Sequence, residues 1–410
     1  MLEVKSGSQS ARPLLKDLRV FAAVAEAQSS TQAAKQLFKS TTSVTESVGE
    51  LERCLGVMLF ERKPRGMLCT TFGKAVQVRA NRIEEEIRHA SEELLRPQAG
   101  AVSPSSNAVS SVLFNDRNLQ LLIHMAASHN ISAAAVQMNM TQAGASMALS
   151  RIEDRLGQAL FQRTAQGMVP CDSAERLVLR AKRVFAELRH MESDLSAISG
   201  ELVGSVVIGT PPLAQSAIFA TVMASIVSQH RGLRICTIDG PYEQLAGGLR
   251  SGDIDIVFGA LRPKELAQGL MTEPLYIERL GVVTRAGHPL TRRRHLQLAD
   301  LLNEQWIMPR INTPGRSLVD AAFQRLGLQP PVPAIETGDP GLLRLLLDAS
   351  DMLAVISLNR LKLEIGSGLL AELPVELATT REVGITTRQG ALLSPPALAV
   401  LDAVRKRARA

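Results

Sequence analysis

Apolar residues recur at helical spacing in two separate stretches of the chain. Leu18, Phe21 and Val24 form one stripe, and Leu119, Leu122 and Met125 form another. A polar break follows each, at Gln28-Ser29-Ser30 and at His129-Asn130-Ile131, and then a short alanine-rich segment. Thr31 and Ser132 are the expected N-caps of those short helices, which end near Phe38 and Asn139. A second break, at Ser40-Thr41 or Thr141-Gln142, precedes a third helix. Its inner face is Val44, Val48, Leu51 and Leu55 in the first stretch and Ala145, Leu149, Ile152 and Leu156 in the second. Gly56 and Gly157 stop it. Alanines in the middle helix permit close packing, and the short turn sets the helices across one another. The prediction is a helix-turn-helix whose third helix is free to enter a major groove. LFERKPRGMLCT and LFQRTAQGMVPC read as short strands around a turn, forming a wing beside the phosphates. Long helices are predicted from about Lys74 to Leu95 and from about Ser173 to Ile198.

The two stretches superimpose without a gap when shifted by 101 residues. The shift carries Leu59-Phe60 onto Leu160-Phe161, Ala33-Ala34 onto Ala134-Ala135, Leu55-Gly56 onto Leu156-Gly157, and Gly66-Met67 onto Gly167-Met168. Matches concentrated at apolar and glycine positions argue for duplication of one small fold. Between the copies lies RPQAGAVSPSSNAVSS, rich in Ser, Pro and Ala, which reads as a flexible linker.

From Leu202 the pattern changes to apolar strands alternating with helices. The first strand leads through a Pro-rich turn into a helix from Ile218 to Ser228, and similar units follow as far as a strand at Ala354–Ile356. That alternation predicts a parallel sheet covered on both faces and two α/β lobes with a cleft. Ligands in such lobes bind at the carboxyl ends of strands. This selects Thr210, Pro211 and Pro212, then Leu261 and Arg262, Arg310, Asn312 and Thr313, and Asp339. Backbone N–H groups at helix starts favour an anion or a polyol oxygen, and Arg262 and Arg310 suit a carboxylate. The competing reading makes each of these a surface or hinge residue. The expected domains are 13–96 and 113–200 for the two copies with their long helices, 97–112 for the linker, and 202–410 for the sensor. Lobe I is placed at about 202–279 and 371–410, and lobe II at about 280–370.

Composition narrows the function. The 410 residues are 45% hydrophobic and 21% charged, as in a globular protein of several domains. At 3% aromatic residues, base-stacking platforms for single strands are not expected. A net charge of +6 suits a polyanion, although an excess of this size also serves solubility. Cys54, Cys69, Cys171 and Cys236 lack metal-ligand spacing and read as reduced thiols. No apolar run reaches membrane-spanning length and no signal core is present, so a cytoplasmic protein is expected. The sensor half carries no GxSxG, HExxH or phosphate-loop motif, so neither an enzyme nor a metal or cofactor is expected.

The first copy, with Phe21, Val24, Ser29, Ala33-Ala34, Leu37, Ser40, Leu51-Glu52, Leu55-Gly56, Leu59-Phe60, Arg62, Thr70 and Gly73, resembles the LysR-type DNA-binding domain. It departs at Thr41, where the family has Gln, and at Thr45, where it has Ser. The second copy carries Thr141-Gln142, Ser146, Glu153, Leu160-Phe161 and Arg163, and departs at Asn130, Pro170-Cys171 and Ala174. Leu249–Val257, Gly287–Leu290 and the closing Leu-Leu-Ser-Pro-Pro-Ala resemble the family's effector domain, itself similar to periplasmic solute-binding proteins. Within the family the sensor half is most similar to the branch of the galactose-binding-protein regulators.

The resemblance implies a transcriptional regulator that binds a double-stranded operator, senses a small effector (a sugar or an organic acid), acts on RNA polymerase indirectly and forms homo-oligomers. Candidate DNA contacts are Thr141, Gln142, Ser146, Arg151 and Arg163 in the second copy, and Ser40, Thr41, Thr42, Thr45, Arg62, Lys63 and Arg65 in the first. Glu46, Glu50 and Glu52 on the first third helix would repel phosphate, whereas Arg151 and Arg155 on the second would attract it. Gln142 can bond an adenine edge in two places. The second copy is therefore the expected sequence reader, with the first either holding the backbone through its basic wing or serving only as a dimerisation or spacing module. In the family the long helix pairs with its image in a second chain, so two such helices in one chain would pair intramolecularly. The rival function is a protein-interaction module built on degenerate helix-turn-helix units.

Overall fold

The computed structural model describes residues 14–63, 66–96, 104–211 and 217–409, with only the backbone of Arg62, Lys63 and Ala217. The chain divides into two compact units, Met1–Gly204 with Ser251–Asp253, and Ser205–Arg250 with Ile254–Ala410.

In the first unit, α1 (Leu15–Ala27), α2 (Ser30–Gln36) and α3 (Thr41–Leu55) lead into a hairpin, β1 (Phe60–Lys63) and β2 (Gly66–Cys69), and then α4 (Thr71–Leu94). After α5 (Ser106–Leu113), the series repeats as α6 (Asp116–Ser128), α7 (Ile131–Gln137), α8 (Gln142–Leu156), β3 (Phe161–Thr164), β4 (Gly167–Pro170) and α9 (Asp172–Ile198). The predicted stripes are the core: Leu18, Phe21, Val24, Val44, Val48 and Leu51 are buried in the first copy. So are Leu119, Leu122, Met125, Ala145, Leu149, Ile152 and Leu156 in the second.

The short helices start earlier than predicted. Ser29 caps α2 by accepting from the Gln32 amide, and Asn130 caps α7 by accepting from Ser132 and Ala133, so Thr31 and Ser132 lie inside the helices. An extended residue just before the first turn is the one whose side chain can reach the free amides. Asn130, a departure from the family pattern, therefore does the same capping work as Ser29.

Both wings dock on the end of the first helix. The Met67 amide donates to Gln28 O (3.0 Å) and the Met168 amide to His129 O (2.8 Å). Gly66 and Gly167 make this approach possible at positive φ, because an added Cβ would stand 2.5 Å or 2.3 Å from those same carbonyls.

The segment read as a flexible linker, 97–112, is instead helical from Ser106. Val109, Val112 and Leu113 of α5 are buried, and Arg19 donates to Ser110 and stacks 4.6 Å over the Phe114 ring. Three apolar residues at helical spacing outweighed the serine-rich composition.

The two long helices, α4 and α9, pack antiparallel. Val76, Ala80, Ile83 and Ile87 meet Leu177, Ala181, Val184 and Leu188 in one continuous core. Arg79, fully buried, donates to Glu187 (2.7 Å) and Asp194 (2.6 Å). Arg180 donates to Glu86 (2.8 Å) and Glu93 (3.2 Å). Burial opposes the charge on Arg79, and these hydrogen bonds more than offset it, raising its pKa.

The second unit runs β5 (Gly204–Thr210), α10 (Ala217–Gln229), β6 (Leu233–Asp239), α11 (Tyr242–Ser251), β7 (Ile256–Ala260), β8 (Leu270–Arg285), β9 (Trp306–Met308), α12 (Pro314–Arg325), β10 (Ile335–Glu336), α13 (Pro340–Ala349), β11 (Leu353–Ser357), α14 (Lys362–Gly366), β12 (Leu370–Glu372), β13 (Thr380–Arg388) and α15 (Pro395–Arg409). The strand order is β10-β9-β11-β8-β13-β7-β5-β6, with β12 on β8. The expected all-parallel sheet is corrected to a mixed one: β5–β7, β9–β11 and β9–β10 are parallel, but β8 and β13 pair antiparallel with their neighbours. One 16-residue strand, β8, serves both lobes, pairing with β13 through Arg279 and with β11 from Leu280. The return to lobe I also comes later than residue 371. Glu372 pairs with Val283, and Leu373, Val375 and Leu377 sit in the lobe II core.

Candidate nucleic-acid interface and ligand cleft

The third helix of each copy is set by the same three devices. Its N-cap, Ser40 or Thr141, accepts from the amide three residues on, at 3.1 Å. Its C-cap, Gly56 or Gly157, is left-handed. Its carboxylate Glu52 or Glu153 accepts from two wing amides, Leu59 (2.7 Å) and Phe60 (3.3 Å), or Leu160 (2.7 Å) and Phe161 (3.2 Å). Glu52 and Glu153 therefore tie helix to wing, and their charges face amides, which corrects the assignment of Glu52 to the phosphate-repelling set. Arg53 pairs with Glu50, and Arg155 donates to Ser111 of α5 (3.0 Å), so neither is an uncommitted cation.

Exposed side chains then define what each helix offers. On α3 these are Thr41, Thr42, Thr45, Glu46, Glu50 and Arg53. On α8 they are Gln142, Ala143, Met147, Ser150, Arg151, Asp154 and Arg155, with Ser146 half-buried. Thr45 Oγ1 donates to Thr41 O (3.0 Å) and Arg151 Nε to Met147 O (3.5 Å). Arg163 stands exposed on the second wing. The Arg62 and Lys63 side chains, and all of Arg65, lie outside the described residues. Ser40 and Thr141 spend their hydroxyls on capping.

In the second unit, a cleft opens where the lobes meet. Of the residues selected from sequence, Pro211, Arg262, Arg310 and Thr313 line it. Thr210 is buried behind it with its hydroxyl on Asp239, and the Leu261 amide is committed to Glu382 O. Asn312 is exposed and left-handed beside the wall, and Asp339 caps α13 through the Leu342 amide (2.6 Å). Pro212 lies outside the described residues.

The chemistry that sequence reasoning missed comes from β8, β11 and β13. Glu278 is fully buried and receives two hydrogen bonds from Arg381 (2.9 and 2.8 Å) on its Oε2. Arg360, whose side chain is 6% exposed, approaches the same oxygen only to 4.0 Å. Its Nε and Nη1 have no hydrogen-bond partner, and neither do Ser357 Oγ and Glu278 Oε1. Arg360, Ser357 and Arg381 all line the cleft. Burial, then repulsion from Arg381, pushes Arg360 down to about 10 against the pull of Glu278. A buried guanidinium with idle donors favours an anion that would complete its shell. Applying the strand-end rule to β11 would have found Ser357, and a glutamate in the middle of an apolar strand marks Glu278. The pairing of β8 with β13 on one side and with β11 on the other, which brings Arg381 and Arg360 to it, has no local signature.

Comparison with known proteins gives two matching family models. "Bacterial regulatory helix-turn-helix protein, lysR family" matches residues 15–74 and again 117–175, and "LysR substrate binding domain" matches 199–409. The chain is 36% identical over 395 residues to the HTH-type transcriptional regulator GalR of Pseudomonas putida, covering 96% of this chain and 97% of that protein. It is 28% identical over 291 residues to GbpR of Azospirillum brasilense, covering 70% and 85%. Among solved structures, full-length OxyR from Pseudomonas aeruginosa shares the fold at a TM-score of 0.54 and 18% identity, covering 71% of this chain and 97% of that one. CbnR, described as a LysR family transcriptional regulator, does so at 0.52 and 17%, covering 72% and 99%. No helix among the described residues is long and apolar enough to cross a membrane.

Proposed function

The chain belongs to the LysR family of bacterial transcriptional regulators, with helix-turn-helix DNA-binding segments and an effector-binding domain, and from that premise we propose what its parts do. The α8 helix reads base sequence through Gln142, Ser146 and Arg151, with Arg163 on the phosphates. The first copy adds contacts from Thr41, Thr42 and Thr45, with its wing residues Arg62, Lys63 and Arg65 on the backbone. The cleft of the second unit takes an organic anion, and the protein works in the cytoplasm on operators read by RNA polymerase. Effector binding closes the lobes about the β8 and β13 crossovers and shifts a pre-existing equilibrium, changing operator spacing or bend.

The observation that carries the effector class is the buried Arg360 guanidinium with two idle nitrogens facing the cleft. The competing ligand is a neutral sugar, for which the strand-end hydroxyls and amides would serve. The test is a thermal-shift panel of carboxylic acids and neutral sugars on the full chain, with Arg360→Gln and Ser357→Ala alongside. Carboxylates should raise the unfolding midpoint of the wild type, and Arg360→Gln should weaken that binding roughly ten-fold or more, as for a lost hydrogen bond to a charged group. Stabilisation by sugars alone, unaffected by Arg360→Gln, would refute the anion assignment.

A further inference from the structure

The contacts between α4 and α9 obey a rule that their sequences do not announce. A shift of 101 residues carries Arg79 to Arg180, Arg82 to Arg183, Glu86 to Glu187 and Glu93 to Asp194. Six of the ion pairs across the two helices then form three image-related sets, whereas Arg176–Glu93 (3.4 Å) stands outside them because Ala75 occupies the image of Arg176. Arg79 holds Glu187 and Asp194, and Arg180 holds Glu86 and Glu93. Arg82 reaches Glu187, and Arg183 reaches Glu86. The apolar seam follows suit, since Val76, Ala80, Ile83 and Ile87 map onto Leu177, Ala181, Val184 and Leu188. Residue i meeting the image of j while j meets the image of i is the mark of an isologous two-fold contact. Here a single chain makes that contact with itself, and the seam is consumed in doing so.

A two-fold contact between identical chains delivers identical helices to both half-sites, which is why operators of such dimers are palindromic. This chain keeps the two-fold frame and changes the readers. The outward positions pair Thr41 with Gln142, Thr42 with Ala143, Thr45 with Ser146 and Glu46 with Met147. A glutamine bonds the major-groove edge of adenine at two positions and a glutamate accepts from the cytosine amino group. Alanine and methionine offer a thymine methyl only apolar contact.

We propose that one chain is a complete two-half-site reader and that the operator it fits has two unlike half-sites. This rests on α3 and α8 being the DNA-facing helices. Neither copy is then a mere spacer. The sites lie on one face of the duplex, about one helical turn or a multiple of it apart.

The test begins with selection from a random duplex pool by the full chain, followed by footprinting and the mass of the complex. The expected result is an enriched duplex with two different half-sites and two protected half-sites per bound chain. A second arm uses the fivefold variant Thr41→Gln, Thr42→Ala, Thr45→Ser, Glu46→Met, Glu50→Arg, whose wild-type side chains are all exposed. It should select an inverted repeat of the half-site read by α8 and bind the original operator roughly ten-fold more weakly. A palindrome selected by the wild type, one protected half-site per chain, or unchanged selection by the variant would overturn the proposal and leave α8 as a reader. Enrichment of no sequence at all would overturn the DNA-facing assignment with it.

Discussion

Helices α1, α2 and α3 begin at Leu15, Ser30 and Thr41, and α6, α7 and α8 begin at Asp116, Ile131 and Gln142, each start displaced by the same 101 residues. The left-handed positions coincide as well, Gln28 with His129, Phe38 with Asn139 and Gly56 with Gly157. Yet the outward faces of α3 and α8 share little chemistry, and the ion network between the copies is fully buried around Arg79 and partly open to solvent around Arg180. Backbone geometry is held by buried apolar positions, caps and glycines, which tolerate exchange within a class. Surface chemistry is held by nothing in the fold and is free to diverge.

The largest contrast should come from the ion network. Arg79→Ala takes from Glu187, which is 3% exposed, one of its arginine partners and from Asp194 the Arg79 contact, and is expected to destabilise by about 3 kcal/mol. Arg180→Ala removes the image of that residue where solvent can replace it, and about 1 kcal/mol is expected. Denaturant unfolding of the full chain decides, and equal losses would mean that the pseudo-symmetry extends to energetics. Next in size is readout. Gln142→Ala should lower discrimination at one base pair by about 1–3 kcal/mol in competition binding, and an unchanged footprint would remove Gln142 as a reader. Arg163→Ala should instead weaken all sequences alike and reduce the salt slope by about 0.9.

Capping separates the copies by less. Thr70 caps α4 through the Gly73 amide (3.0 Å), whereas Cys171, its image, makes no such bond to α9. Thr70→Ala should cost about 1 kcal/mol and Cys171→Ala a fraction of that. In the first copy a Cβ at Gly73 would lie 2.1 Å from Leu59 O, while Ala174 is accommodated in the uncapped copy. Gly73→Ala should therefore destabilise more than Ala174→Gly.

The smallest effect concerns acid. Burial lowers the pKa of His124, with a hydrogen bond to Gln137 pulling weakly the other way, and its image in the first copy is Ala23. The folded chain binds that proton less readily than the unfolded one, whose ordinary value is about 6.5. This contribution to stability is whole above that pH and is lost as pH falls through the lowered value. His124→Ala should flatten the acid limb of a stability-versus-pH curve, and an unchanged limb would show that the titration lies elsewhere.

Much of the frame was legible. Apolar spacing located the helices within a few residues, and Gly56 and Gly157 marked where the third ones end. Reading α5 as linker failed because Ser and Pro frequencies masked Val109, Val112 and Leu113, which stay buried only against other helices. Glu52 and Glu153 looked like surface charges because the wing amides they bind are seven and eight residues away. Ligand reasoning reached Pro211, Arg262, Arg310 and Thr313, which sit at strand ends. It passed over Arg360 and Arg381, whose importance depends on a buried glutamate contributed by another strand.

Periodicity, capping chemistry and the 101-residue offset are local properties of a chain, so the amino-acid order alone determined that one small fold occurs twice ahead of an α/β sensor. Which faces those copies present to each other, which carboxylates spend their charge on amides, and which guanidinium is left idle in a cleft were decided only when remote segments met. Burial and pairing are properties of three-dimensional neighbours, and no window along the chain contains them.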